Sequence, residues 1–444
     1  IKNLKKCLAE AAPEAFIGIT KAHIARVLFG WGRKSIRVNV TVGKKLFWGG
    51  SSYEAIRSDN DAPVMASVYP HKMAAILFTS GSTGLPKGVV YTHSIFNGQV
   101  DSLRDNYGIV PGERDLGTFP LFALFGPALG MASVVPDMDA SKPISSNPAH
   151  IVAAMHQYET TNLFASPALI EKVGRYGEAE NIELPSLKRV ISAGAPADPD
   201  SLKRFAKMLR EGVSIMPSYG ATEALPIASI GHQELIADTK SLTEQGKGLC
   251  IGYVNKGLDV RIIGIDDKAI APWSNELEVP TGTIGEICVS GDIVTREYYE
   301  RAVSTAQAKI QVPASDDFYH RMGDVGYLDD QGRLWFCGRK THRVETKEKT
   351  YFTIPCERVF NTHAKVKRTA LVRVGESAVL CVELAQQYAL DAGLKNDLLG
   401  IANGFEHTQG ICTFLQHPGF PMDVRHNAKI YREQLAVWAK GKLS

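Results

Sequence analysis

Residues 76–93 read ILFTSGSTGLPKGVVYTH: an apolar run, then glycines and hydroxyls, then one lysine behind a proline. Glycines let the backbone turn tightly and aim its N–H groups at a ligand. The hydroxyls add donors and the lysine adds charge, a combination that suits phosphate. The Walker A pattern GxxxxGK[ST] does not fit, because Pro86 stands where its second glycine belongs and Gly88 where its Ser or Thr belongs. An ordinary P-loop NTPase is therefore disfavoured. Gly-Ser-Thr-Gly alone would read as a surface turn. Between an apolar strand and a helix, with Pro86-Lys87-Gly88 closing it, the stretch reads as a phosphate cradle.

Outward from that loop, residues 73–78 read as a buried strand, and HSIFNGQVDSLRDNYG as an amphipathic helix starting near Thr92 or His93. Residues 187–192 and 214–217 read as short strands, each followed by a small-residue loop, which is α/β texture. From Leu258 the texture turns β-rich (LDVRIIGID, GEICVSG, GRLWFCG), with a turn over residues 329–332. The charged THRVETKEKT behind Arg339-Lys340 has linker composition. It divides the expectation into a large α/β domain with a β-rich subdomain over residues 1–339 and a small α+β domain over 340–444.

The 444 residues are 44% hydrophobic and 22% charged with net charge +3, too mild a balance for nucleic acid or an anionic membrane as main partner. The seven cysteines form no CxxC pair, which argues against a zinc knuckle or disulfide framework and points to a reducing cytoplasm. No signal peptide is visible. The opening residues read as the middle of a βαβ pattern, so an N-terminal part is expected to be missing. Residues 116–136 carry no charge and approach the length of a membrane span, but three prolines and three glycines break them. They read as a buried strand–loop–helix lining a pocket. Their phenylalanines and leucines would serve an alkyl chain or plain core packing equally well.

TSGSTGLPKG resembles the phosphate loop of the adenylate-forming enzymes: acyl-CoA synthetases, peptide-synthetase adenylation domains and luciferases. Five further segments resemble that family's motifs in order: SAGAP (192–196), YGATE (219–223), GEICVSG, RMGDVGYLDDQGRLWFCGR and RHNAKIYREQL. The resemblance implies that Thr79, Ser80, Gly81, Ser82, Thr83 and Gly84 surround the ATP phosphates. It places Gly194, Ala195 and Pro196 on the adenine side, with Tyr219 stacking on the base beside Gly220 and Ala221. Thr222 would touch phosphate, Glu223 would hold Mg²⁺, Asp324 would bind the ribose hydroxyls and Arg339 would stand near it. Lys87 and Lys429 would supply catalytic cations, Lys429 swinging in on the small domain about a hinge at Thr341. The implied cofactors are ATP and Mg²⁺. The family usually carries a charged hinge residue, and Thr341 departs from that.

Other departures narrow the family. Acyl-CoA synthetases usually show a histidine within PLFH, where this chain has Ala123; Pro217 replaces an amide residue two positions before the motif tyrosine; VETKEKTYFT replaces a glycine-containing loop after the hinge. TFPLFALFGPALGMASVVPDMD, GRLWFCGRKTHRVET, ERVFNTHAKVKRTALV and HPGFPMDVRHNAKI closely resemble the β-lactone synthetases of bacterial long-chain olefin biosynthesis. That resemblance implies a long-chain 2-alkyl-3-hydroxy fatty acid as substrate, activated as acyl-AMP and closed by its own β-hydroxyl, with other enzymes of the olefin pathway as partners. A long-chain fatty acid–CoA ligase is the rival reading, and a non-catalytic nucleotide-binding module the rival of another class. His320 and His426 lie beside motif residues and are candidate bases, although a histidine near a motif is more often a structural hydrogen-bonder. Oligomeric state leaves no signature.

Overall fold

A computed structural model describes residues 3–57, 66–79, 86–139, 142–422 and 430–443. Its contacts divide the chain into two compact units, residues 1–96 with 295–307 and residues 97–294 with 308–444.

In the first unit, β1 (Ala15–Ile19), β2 (Val38–Val42) and β3 (Ser51–Ser52) form a parallel sheet. Two further strands, β4 (Met73–Phe78) and β5 (Gly88–Thr92), pair antiparallel. The expected strand at 73–78 is present but only half-buried, with Met73 47% exposed, because a two-stranded pair covers one of its faces. Its partner β5 is fully buried over Gly88–Tyr91 and was not legible from the sequence, where GVVYT merges into the start of the following helix, His93–Tyr107.

The second unit is built on a large mixed sheet. Its parallel part comprises β6 (Arg114–Gly117), β7 (Ala132–Val134), β8 (Asn162–Ala165), β9 (Arg189–Ser192) and β10 (Ser214–Ala221), paired in the order β7-β6-β8-β9-β10. Three helices cover it: Pro148–Gln157, Pro167–Glu180 and Pro199–Ala206. Each starts the same way. A polar cap (Asn147, Ser166, Asp198) accepts a backbone N–H from the first turn, and proline takes the first helical position, where its missing N–H costs nothing. Beneath them Leu163, Val190, Leu202, Phe205 and Ile215 are buried to within 1%.

The sheet continues antiparallel through β11 (Ala224–Ser229), β12 (Leu249–Val254), β13 (Leu258–Ile263), β14 (Gly285–Gly291), β15 (Lys309–Gln311), β16 (Phe318–Leu328) and β17 (Arg333–Arg339). The expected turn at 329–332 closes β16 onto β17: Asp329 Oδ1 accepts the N–H groups of Gln331 and Arg333, and Gly332 takes φ 76°. Residues 116–136 resolve into the end of β6, a helix at Pro120–Ala128 and β7; among the described residues no helix is long and apolar enough to cross a membrane.

Behind β17 the charged stretch is not a bare linker. It forms a 3₁₀ turn (Lys340–His342) and a short hairpin of Val344–Glu345 with Thr350–Tyr351. The tail has its own sheet, Val366–Val374 and Ser377–Leu384 antiparallel and Thr413–Gln416 parallel, with its own apolar core around Phe360, Leu371, Leu380 and Leu398.

Candidate active site

The strand expected to end at Pro217 runs on to Ala221 and turns back through Thr222 and Glu223 into β11, so the YGATE motif is the tip of a hairpin. The register shifts between Tyr219 and Ala221. Gly220 fits there because a Cβ would lie 2.7 Å from the Leu225 side chain and 2.8 Å from Ala224 O. Tyr219 donates its phenolic hydrogen to Asp324 Oδ2 at 2.6 Å. On the neighbouring ladder Asp324 of β16 lies opposite Arg339 of β17, and Arg339 Nη1 stands 3.0 Å from Asp324 Oδ1. Burial, followed by the Asp324 charge, holds the Tyr219 hydroxyl well above its ordinary pKa, so it remains a donor. The structure thus brings Tyr219, Asp324 and Arg339 together in one polar corner. Gly194 (φ 97°), Ala195 and Pro196 follow the end of β9, the parallel neighbour of β10.

Near Glu223 sits a residue the sequence did not single out. Lys309 begins the short strand β15, its ammonium over the Phe318 ring at 5.2 Å. Burial pushes its pKa down to about 7, with the Glu223 charge opposing. Nothing local marks it: AQAKIQV is an ordinary edge-strand sequence. His320, offered as a base, is 2% exposed and its Nδ1 lies 3.1 Å from Ala308 O, so that nitrogen donates to a backbone carbonyl.

Two other expected site residues belong to the first unit. Thr79 and Lys87 clasp the ends of the phosphate loop: Thr79 N–H donates to Lys87 O at 3.0 Å and Lys87 N–H to Thr79 Oγ1 at 3.1 Å. The Lys87 ammonium lies 4.7 Å from the Tyr298 ring centroid. Ser80, Gly81, Ser82, Thr83 and Gly84 lie outside the described residues, as do His426 and Lys429. The segment carrying Lys429 leaves from Met422 and returns at Ile430, two residues that pair with each other. Just behind it Arg432 Nη2 binds Glu357 Oε2 at 2.9 Å. Thr341 lies in the 3₁₀ turn, between Lys340, paired to Glu286 at 3.0 Å, and His342, 3.7 Å from Glu433. Burial and the nearby Arg432 charge hold His342 down to about 4.

A small apolar slot adjoins the polar corner. Phe122 and Phe125, from the helix at Pro120–Ala128, and Phe164 of β8 supply its aromatic wall, the Phe122 and Phe164 rings stacking at 3.5 Å. Its border includes Ala193 and Ser218, the residues just before Gly194 and Tyr219. Tyr107 and Ser218 share a hydroxyl–hydroxyl hydrogen bond. Ala123, from the same helix, packs inward: a Cβ on Gly117 would lie 3.2 Å from its own.

The sheet switches from parallel to antiparallel at the YGATE hairpin, with a tyrosine–aspartate–arginine corner at that switch and an apolar slot beside it. The chain belongs to the AMP-binding enzyme family, whose model matches residues 2–299, and is an ATP-dependent adenylate-forming ligase. The olefin β-lactone synthetase of Stenotrophomonas maltophilia (strain K279a) is 47% identical to it, covering 100% of this chain and 81% of that protein. The olefin β-lactone synthetase of Xanthomonas campestris pv. campestris is 46% identical, with 99% and 80% covered. The fold is similar to that of the amide bond synthetase McbA from Marinactinospora thermotolerans: TM-score 0.78, 22% identity, with 99% and 82% covered.

ATP and Mg²⁺ are the cofactors of this family. The corner fits a ribose, since a buried carboxylate accepts hydroxyls and its two present partners can yield. Among the described residues no cluster of three or more His, Cys, Asp or Glu could hold a metal unaided.

Proposed function

We propose that this enzyme adenylates a long-chain 2-alkyl-3-hydroxy fatty acid and that the acid's own β-hydroxyl then expels AMP, leaving a β-lactone. The relatives' names and their 46–47% identity over the whole chain support the reaction. The observation that carries the reading is the aromatic slot bordering the Tyr219–Asp324–Arg339 corner. An apolar acid and the nucleotide would meet at Ser218–Tyr219.

In this reading Asp324 receives the ribose hydroxyls and Tyr219 packs on adenine, flanked by Gly194, Ala195, Pro196, Gly220 and Ala221. Thr79 and the loop through Gly84 hold the β- and γ-phosphates, Thr222 touches phosphate, and Glu223 would hold Mg²⁺, which would supply neutralisation of phosphate charge. Lys87 and Lys429 reduce the repulsion between carboxylate and triphosphate. The carboxylate oxygen attacks the α-phosphorus and pyrophosphate leaves. The β-hydroxyl oxygen then attacks C1, loses its proton, and AMP departs with the bridging oxygen. Tethering favours this closure by proximity while four-membered ring strain opposes it. The 340–444 segment acts as a mobile domain about Thr341, carrying Lys429 in, with the Glu357–Arg432 pair holding the base of its segment. Six buried, unpaired thiols and one exposed one are consistent with a cytoplasmic setting. Other enzymes of olefin biosynthesis are the proposed partners.

The test supplies the purified protein with ATP, Mg²⁺ and a 2-alkyl-3-hydroxy acid, with and without CoA. Pyrophosphate release without CoA, matched by β-lactone in mass spectrometry, is expected. Release only with CoA would make it an acyl-CoA ligase. No release from any fatty acid would leave a nucleotide-binding module.

A further inference from the structure

The slot is apolar except at a few points, and all but one of those polar groups are paired among the described residues. Tyr107 and Ser218 bind each other. The exception is Gln99, on the helix His93–Tyr107, which lines the slot and is 3% exposed. Its amide nitrogen donates to Leu225 O at 2.9 Å. That bond fixes the orientation of the amide, because a carbonyl facing a carbonyl would gain nothing. Its oxygen, Oε1, is buried with no hydrogen-bond partner among the described residues. A buried acceptor left unpaired beside an apolar slot is costly unless a ligand brings a donor.

We propose that Gln99 Oε1 accepts the hydrogen bond of the substrate's β-hydroxyl and so selects and orients a 3-hydroxy acid. This rests on the β-hydroxy acid reading above. A plain fatty acid would bring only methylene groups to Gln99 and leave its oxygen unpaired; a 3-hydroxy acid carries one donor close to the carboxylate. An amide oxygen does not take up a proton at neutral pH, so Gln99 is a positioning residue and not the base for ring closure. It sets where the hydroxyl oxygen waits while the carboxylate is adenylated.

The experiment compares a 2-alkyl-3-hydroxy acid with its 3-deoxy analogue, reading pyrophosphate release with hydroxylamine present so that acyl-AMP from either acid turns over. Wild type should favour the hydroxy acid about 10-fold or more in kcat/KM. Gln99→Met should raise KM for the hydroxy acid about 10-fold while the deoxy acid, kcat and KM for ATP hold. Gln99→Glu, kept protonated by its apolar surroundings, still donates to Leu225 O and still accepts on its other oxygen, and should retain the preference. Equal losses on both acids in Gln99→Met, or a wild type blind to the hydroxyl, would overturn the assignment while leaving the adenylation reading intact. Wild-type silence on both acids would overturn both. Should Gln99→Met fail to fold, the wild-type preference and its retention in Gln99→Glu carry the test, and loss of the preference in Gln99→Glu would then count against it.

Discussion

Tyr219, Asp324 and Arg339 are already joined to one another, whereas the slot beside them contains an amide oxygen, Gln99 Oε1, with no partner among the described residues. The first region is a preorganised polar corner, which the proposed function assigns to a ligand that never varies, the nucleotide. Its groups satisfy each other, so in the proposed reading little ordering remains to be done when a ribose replaces those bonds. The second region is shaped by stacked rings and gains specificity from what it leaves unsatisfied. A site built around an unpaired acceptor discriminates by penalising ligands that lack the donor.

The largest effect is expected at the proposed catalytic lysine of the tail. Lys429→Ala should lower the rate of adenylation by ~10²–10³ or more, as removal of other charge stabilisers does, while ATP affinity changes little. Single-turnover acyl-AMP formation and ATP titration measure the two. Equal losses in both would make Lys429 a binding residue.

Asp115 of β6 offers a third kind of buried polar group. Asn162 donates to its Oδ1 at 2.5 Å, and Oδ2 has no partner among the described residues. Burial raises its pKa from 3.8 to about 6, outweighing the Asn162 bond. The folded state therefore favours the protonated form. The stabilisation is fully present below about pH 4 and is lost as pH rises through about 6, on the order of 3 kcal/mol in all. Asp115→Asn, of the same shape and neutral, should remove that part of the pH dependence in urea unfolding between pH 4 and 7.

Next come the two regions themselves. Asp324→Ala should raise KM for ATP roughly 10–100-fold, the scale of lost hydrogen bonds to a charged group, with KM for the acid nearly unchanged. Phe122→Ala should do the opposite, raising KM for the acid about 10-fold through lost apolar contact and sparing ATP. Steady-state kinetics with each substrate varied in turn checks both, and crossed effects would mean the two regions act as one.

The polar corner was legible in the sequence because nucleotide binding uses short contiguous turns whose residue types are constrained. The Tyr219–Glu223 hairpin tip and the Asp324–Arg339 pair each lie within one motif. The α/β texture, the turn at 329–332 and the mixed α+β character of the tail were legible from the local pattern. The continuation of β10 past Pro217 was not, since Pro217 and Gly220 read as breakers, although the hairpin has room only for glycine at 220. The slot was legible only as an uncharged stretch. Its Gln99 comes from a helix and its carbonyl partner Leu225 from a distant strand, and no local pattern links them. Lys309 was hidden for the same reason: its chemistry comes from burial near Glu223, which only the folded chain brings about.

Carboxylate activation is tested most directly by isotope transfer. The 3-hydroxy acid is prepared with both carboxylate oxygens as ¹⁸O and turned over with ordinary ATP, and AMP and lactone are weighed by mass spectrometry. One ¹⁸O in AMP and one in the lactone carbonyl is the expected result, because the oxygen that attacks the α-phosphorus leaves with AMP. Both labels retained in the lactone, with none in AMP, would mean that the hydroxyl and not the carboxylate is activated.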